Sequence, residues 1–214
     1  MTFTQKVKQI ILLILGLSVA HLGVTFFIQA NLGTDPFNVL VQGIFRSIPW
    51  PDALHWTHGR THMMICFLII LVLLVIDRSY IRIGTIICMF LGGPIIDLFT
   101  VILGDYINSS LPLAIRVIVL VAGCMILALG MTIVIKSEAG TGPNDLVAIV
   151  ISDKTHRAFG LVRILTDCFF VAAGFLLGGT FGPGTIICAF LVGPVAQIFM
   201  PYSERFCKKV LGSR

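Results

Sequence analysis

Long, continuous apolar runs dominate the chain, and they have the length of membrane-spanning helices. At a rise of 1.5 Å per residue, a helix needs about 20 apolar residues to cross a hydrocarbon core of about 30 Å. Membrane β-strands would alternate in polarity, and these runs do not. The pattern predicts an all-α polytopic membrane protein with six spans, at 9–30, 61–77, 83–103, 112–135, 161–178 and 184–201.

Two shorter apolar segments lie between the first and second span of each set of three. The segments 36–48 and 143–152 reach only about 20 and 15 Å as helices. They predict two short broken or re-entrant helices in addition to the six spans. If these segments continue into the polar residues that follow, the chain has eight spans instead.

The chain carries an internal duplication. Residues 22–44 match residues 129–151 at eight of 23 positions with an offset of 107. Residues 84–99 match residues 184–199 at ten of 16 positions with an offset of 100. The matches predict a membrane repeat at 1–104, a second at 112–201 and a cytoplasmic tail at 202–214, a construction typical of transporters.

One polar phrase occurs in both halves, as NLGTDPFN at 31–38 and as EAGTGPND at 138–145. Gly33 and Gly140 permit a sharp break in the backbone. Proline is favoured at the first position of a helix, and Asp35 stands where the N-cap belongs. We therefore expect each phrase to end one helix and to begin another.

Two such breaks would bring two helix N-termini toward the middle of the membrane. Each N-terminus carries about half a positive charge and free N–H groups, which suit a polar ligand. Irregular backbone at that depth must be buried or line a wet cavity. The predicted substrate site is lined by Thr34, Asp35, Asn38, Thr141, Asn144 and Asp145. The alternative is that both phrases are capped turns at the membrane surface.

A few ionisable residues lie inside the apolar runs. Asp97 has no evident partner on its own helix, so it is the candidate for a proton-coupling carboxyl group. Arg163 and Asp167 are four residues apart and are expected to neutralise each other on one helix face. His55, His58 and His62 are expected to lie in an interfacial loop. Their spacing is not a metal signature, and neither a metal nor a cofactor is predicted.

The composition agrees with a membrane protein: 57% of residues are hydrophobic, 12% are charged and the mean hydropathy is +1.02. The net charge of +5 comes from Lys and Arg at the ends of apolar runs, as in cytoplasmic loops, and no nucleic-acid partner is predicted. When both termini are placed in the cytoplasm, twelve of these 15 basic residues lie on the cytoplasmic side. This number is the same for six spans and for eight spans. The sequence contains no hydrolase, P-loop or dinucleotide motif, so we expect no enzyme.

The segments GTDPFNVL and GTGPNDL, with the GTI…GP pattern near the end of each half, resemble the YczE/YyaS/YitT family of bacterial integral membrane proteins. The resemblance implies a small multispanning protein of the bacterial cytoplasmic membrane. It implies no settled activity and supplies no catalytic residues. Members of that family are widely treated as transporters or permeases.

Two functional hypotheses follow. In the first, the protein is a secondary transporter of a small polar or amphipathic metabolite, with alternating access around a midplane site between the repeats. In the second, it is a non-transporting membrane protein that stabilises or regulates another protein. The lipid bilayer is its solvent in both, and assembly into a homo-oligomer stays open.

Overall fold

The computed structural model describes residues 3–51, 53 and 55–212. Within them the chain is all-helical, without a β-strand, and a short 3₁₀ turn at Arg78–Tyr80 follows the third helix. The α-helices are α1 (Phe3–Ala30), α2 (Pro36–Ser47), α3 (His58–Ile76), α4 (Ile83–Leu103), α5 (Leu113–Lys136), α6 (Pro143–Thr155), α7 (Phe159–Leu176) and α8 (Pro183–Leu211).

The lengths of the helices confirm the predicted fold class. In the described part of the chain six helices are long and apolar enough to cross a membrane, and these are α1, α3, α4, α5, α7 and α8. The other two, α2 and α6, have 12 and 13 residues. The eight-span alternative is therefore wrong, because neither short helix continues into a full span.

The last helix is longer than the sequence predicted. α8 runs to Leu211, so most of the predicted tail at 202–214 continues this helix. Residues 213 and 214 of that tail, and residues 1, 2, 52 and 54 of the first predicted repeat, lie outside the described residues.

The centre of the bundle is an antiparallel pair, α1 and α5, held together at glycines. A Cβ atom on Gly16 would lie 2.8 Å from the backbone nitrogen of Val134, and one on Gly23 would lie 2.6 Å from the carbonyl oxygen of Gly123. Residue numbers along this contact therefore increase in α1 while they decrease in α5, so the two helices are antiparallel. Small residues let backbones approach this closely, which drives helix association in lipid.

Each short helix packs on a long helix of the other half of the chain. On α2, a Cβ atom on Gly43 would lie 2.3 Å from the carbonyl oxygen of Gly174 in α7. On α6, Leu146 and Val150 form an apolar cluster with Leu73 of α3. The two halves are therefore interlocked, and neither forms a closed bundle by itself.

Both broken phrases bind the start of a long helix of the other half through equivalent backbone hydrogen bonds. The Gly184 N–H donates to the Leu32 carbonyl at 2.9 Å, and the Gly84 N–H donates to the Ala139 carbonyl at 3.1 Å. Leu32 and Ala139 are 107 residues apart, while Gly84 and Gly184 are 100 apart, the two offsets of the sequence matches. Residues that match in the sequence thus make matching contacts across the halves.

Candidate functional site

The first phrase forms the capped start of α2 as the sequence predicted. Gly33 has a φ of 109°, a conformation that favours glycine, and Pro36 is the first residue of α2. The Asp35 carboxylate accepts hydrogen bonds from the Asn38 backbone N–H at 3.2 Å and from the Asn38 side-chain amide at 2.9 Å. Thr34 adds a hydroxyl hydrogen bond at 3.2 Å. Three of the predicted site residues are therefore bonded to one another.

The second phrase makes the same break without the same cap. Gly140 has a φ of 141°, Gly142 is the N-cap of α6, and no side chain caps this end. Asn144 donates to the Asp145 carboxylate at 3.3 Å in the first turn of α6. Thr141 is half-buried. The Asp145 carboxylate of this phrase thus does not cap its helix and can bind a residue outside the phrase.

The start of α2 lies beside the middle of α1, although the chain enters α2 from the end of α1. The Phe37 ring is 5.3 Å from the ring of His62, which is 5.5 Å from the ring of His21 on α1. His21 precedes the end of α1 at Ala30 by nine residues, or about 13 Å of helix. The five residues between α1 and α2 therefore lead the chain back into the bundle.

The other end of α2 returns to the level at which α1 ends. The Arg46 guanidinium donates to the Gly178 carbonyl at 3.1 Å and to the Thr180 hydroxyl at 2.8 Å, both in the loop before α8. The same loop leads to the hydrogen bond between Gly184 and Leu32, just past the end of α1. The axis of α2 thus runs from the interior outward, with its N-terminus inside.

The last turn of α6 lies at the loop that follows α3. Lys154 lies 2.7 Å from the Asp77 carboxylate, and the Tyr80 hydroxyl donates to Asp153 at 3.0 Å. The first turns of α6 lie inside, because Val147 of α6 and Leu40 of α2 pack against one apolar cluster. That cluster consists of Phe37, Val41, Ile65, Cys66, Ile70, Met89 and Phe170. Both short helices therefore begin in the interior, against one apolar cluster.

A charged centre lies where these helices begin, and Arg163 of α7 is its only cation among the described contacts. Its guanidinium is 2.7 Å from the Asp145 carboxylate and 3.0 Å from the Asp167 carboxylate. The second contact confirms the predicted pair on one helix face. Phe170, one turn after Asp167, packs its ring 5.5 Å from the Phe37 ring. The start of α2 is thereby placed beside this centre.

The first phrase also interacts with the charged centre. Asp35 interacts electrostatically with Arg163 and with Asp167, without a direct hydrogen bond to either among the described contacts. The Arg163 side chain is 31% exposed and both of its bonded carboxylates are 28% exposed. The centre thus combines three carboxylates, one guanidinium and two helix N-termini, and its charged side chains are partly exposed.

His58 extends the polar network away from the charged centre. Its Nε2 atom is 3.0 Å from the side-chain oxygen of Asn38. An amide oxygen only accepts, so the Nε2 atom carries the hydrogen. The prediction of an interfacial loop is wrong for His58 and His62, since α3 begins at His58. Thr57, which caps α3 through its hydroxyl, was the sequence signal for that start.

Asp97 has partners that its own helix could not reveal. Its carboxylate accepts from the Thr57 hydroxyl at 2.6 Å and from the Gly59 backbone N–H at 3.0 Å. It thereby joins α4 to the start of α3, on either side of His58. The sequence predicted no partner on the helix of Asp97 itself, and both partners lie at the start of another helix; the proton-coupling role stays a prediction.

An open cavity of about 340 Å³ reaches this network from the side on which α1 ends. Its polar lining comes from Gln29, Asn31, Gln42, Arg46, His58, Asn108 and Ser109. Because His58 bonds Asn38, the cavity leads toward the first phrase. None of these residues belonged to the predicted site, since no spacing in the sequence joins them.

Comparisons with known proteins give the family of the chain. The model of a family of unknown function, DUF6198, matches residues 7–201. The chain is 26% identical to the uncharacterized protein YyaS of Bacillus subtilis (strain 168) over 193 residues, which cover 89% of this chain and 92% of YyaS. It is 27% identical to the uncharacterized membrane protein YczE of the same organism over 203 residues, covering 93% and 88%.

A third relative is an uncharacterized protein of Haemophilus influenzae, 28% identical over 198 residues that cover 92% of this chain and 86% of the relative. No solved structure matches the chain significantly. The resemblance to YyaS and YczE is confirmed, and their names assign no activity.

Proposed function

The chain belongs to the family of unknown function DUF6198, and we propose that it is a secondary transporter of a small polar or amphipathic metabolite. One observation carries the proposal. Two short helices begin inside the bundle against one apolar cluster, and the Arg163 guanidinium binds the start of one of them. Helix N-termini that meet inside a bundle are the ligand sites of many transporters.

The charges of the centre bear on the substrate. The helix N-termini and Arg163 favour an anionic or strongly hydrogen-bonding group. The carboxylates of Asp35, Asp145 and Asp167 disfavour a purely anionic molecule. A polar metabolite that is not a simple anion therefore fits this centre best, with Thr34, Asn38, Thr141 and Asn144 as further contacts.

The packing of the halves supports an alternating-access mechanism. The sequence match makes α1 of the first half and α5 of the second half corresponding helices, and these two helices run antiparallel in the structure. Corresponding helices of opposite direction are the mark of inverted repeats, whose rocking moves access from one side to the other. We propose that the halves are inverted repeats and that the site between them is the pivot.

The location belongs to the same proposal. We place the protein in the bacterial cytoplasmic membrane with both termini in the cytoplasm, because most Lys and Arg residues then lie inside. In this orientation Asp97 lies near the outer side, next to the cavity at His58. Its carboxyl group, which accepts hydrogen bonds from Thr57 and Gly59, is the proposed proton carrier.

A ligand screen followed by a flux measurement tests the proposal. Purified protein is heated with a library of metabolites, since a ligand of the native state raises its thermal stability. A hit is then loaded outside proteoliposomes and its uptake is followed. We expect Thr34→Ala and Thr141→Ala to remove the stabilisation by the ligand, while Thr155→Ala, far from the centre, keeps it.

The outcomes separate the two functional hypotheses. Uptake that requires the intact centre supports transport. A hit that stabilises the protein without uptake would contradict transport. The absence of any hit, together with one protein that co-purifies in constant proportion, would replace the proposal with the hypothesis of a membrane partner.

A further inference from the structure

The two halves pack their second and third long helices differently. In the first half α3 and α4 touch: a Cβ atom on Gly59 would lie 2.2 Å from the carbonyl oxygen of Gly93, and the reverse distance is also 2.2 Å. Gly160 is the second residue of α7, as Gly59 is of α3, and Gly193 matches Gly93 in the aligned segments. Among the described residues, nothing lies within 4 Å of a Cβ atom at Gly160 or Gly193.

The polar contacts differ in the same way. Asp97 of α4 binds the start of α3 through Thr57 and Gly59. The residue that matches Asp97 is Gln197 of α8, which is exposed and has no hydrogen bond within the described part of the chain. The start of α7 has Ala158 as its N-cap and no side-chain hydrogen bond. A glutamine amide oxygen accepts backbone N–H groups, so Gln197 has the chemistry to cap α7.

The closed and the open helix pair lie at opposite sides of the charged centre. In the closed pair, α3 and α4, the first turn of α3 follows α2 in the chain. In the open pair, α7 and α8, the first turn of α7 follows α6. Both α2 and α6 run outward from the centre. The outer end of α2 binds the loop before α8, and the outer end of α6 binds the loop after α3, at the opposite end of the α1–α5 pair. The two helix pairs therefore lie on opposite sides of the centre. One helix pair is thus in close contact and the other is separated, on opposite sides of the centre.

We propose that α7 and α8 form a gate that closes when α3 and α4 separate. In the closed gate Gly160 meets Gly193, and the Gln197 amide oxygen accepts from the first N–H groups of α7. The described structure is then one of two states, with Gly59, Gly93 and Asp97 holding the opposite gate shut. This inference rests on the proposed transport function for its purpose, while its geometry is measured without a substrate.

Two distances between spin labels test the gate in lipid nanodiscs. The labels replace exposed residues in a full-length chain whose six native cysteines are substituted: Leu161 with Ile198 across α7 and α8, and Phe67 with Phe90 across α3 and α4. Asp97→Ala removes the hydrogen bonds that hold α3 to α4. We expect the Phe67–Phe90 distance to lengthen and the Leu161–Ile198 distance to shorten in the same sample.

Two further variants make the result decisive. The methyl group of Gly59→Ala pushes α3 away from α4. This variant must also lengthen the Phe67–Phe90 distance and shorten the Leu161–Ile198 distance, and it serves as the test if Asp97→Ala does not fold. Gly193→Leu fills the open gate, and it must abolish the shortening of the Leu161–Ile198 distance. Distances that move in the same direction, or an unchanged Leu161–Ile198 distance when α3 and α4 separate, would overturn the gate. Failure of the metabolite screen would leave this test standing, since no ligand takes part in it.

Discussion

The guanidinium of Arg163 on α7 lies 2.7 Å from the carboxylate of Asp145 on α6, and this contact ties the second Gly-Thr-x-Pro phrase to the centre of the molecule. Arg163 also holds Asp167 at 3.0 Å. A half-buried cation with two carboxylate partners is costly to remove, because the carboxylates are then left without compensation.

We therefore expect Arg163→Gln to lower the free energy of unfolding by roughly 2–4 kcal/mol, and Asp145→Asn to lower it by about 1 kcal/mol, since Asp167 still pairs with the cation. Thermal unfolding in detergent measures both. The triple variant Arg163→Gln, Asp145→Asn, Asp167→Asn, which removes all three charges, is expected to recover most of the loss. An Arg163→Gln protein as stable as the parent would show that the pair contributes nothing.

Asp35 combines a cap with a predicted place in the substrate site, and two substitutions separate these roles. Asparagine is also a good N-cap, so Asp35→Asn is expected to keep the stability of α2. Asp35→Ala loses the hydrogen bonds from Asn38 and is expected to cost about 1 kcal/mol. Substrate uptake is expected to fall to background in both variants. If Asp35→Asn transports at the parent rate, the carboxylate serves only as a cap.

The close approach of α1 and α5 predicts a strong dependence on one glycine. A Cβ atom on Gly130 would lie 2.2 Å from the backbone nitrogen of Ala20. We expect Gly130→Ala to force the helices apart and to cost roughly 1–3 kcal/mol, the usual range for overpacking. Gly160→Ala is the matched control, because nothing within the described chain lies within 4 Å of its Cβ position. Equal melting temperatures for the two variants would contradict this packing.

The bond between α6 and the loop after α3 predicts a pH dependence. The hydrogen bond from Lys154, with smaller help from Ser79, holds the pKa of Asp77 well below its usual range. A carboxyl group with a lowered pKa stabilises the folded state fully above its unfolded pKa, about 3.9, and this gain is lost as the pH falls toward the lowered value.

Asp77→Asn is therefore expected to lower the melting temperature slightly at pH 7. The difference from the parent protein should narrow as the pH falls below about 4. Melting curves of both proteins across this range give the answer. A difference that stays constant or grows at low pH would mean that Asp77 acts without its charge.

The fold was readable from the sequence because two signals are local. Apolar length gave the six spans, and the phrases with Gly33 and Gly140 gave the breaks, each confirmed by a positive φ and a following proline at the start of a short helix. The cap at Asp35 was equally local, since its partner Asn38 is three residues away.

Only part of the charged centre could be predicted from the sequence. Arg163 and Asp167 are four residues apart on one helix, so their pair was predicted. Asp145 is 18 residues before Arg163 on another helix, and no periodicity joins them. The partners of Asp97 were missed for the same reason, since Thr57 and Gly59 reach it from another helix.

The distance between Leu40 on α2 and Val147 on α6 shows whether the two short helices begin at a shared site, because these half-buried residues lie in the first two turns of the short helices. Spin labels at both positions, in a chain without other cysteines, report it in lipid nanodiscs. We expect a distance far below the roughly 30 Å of the hydrocarbon core. A distance near 30 Å would place the two phrases at opposite membrane surfaces and would contradict a shared site.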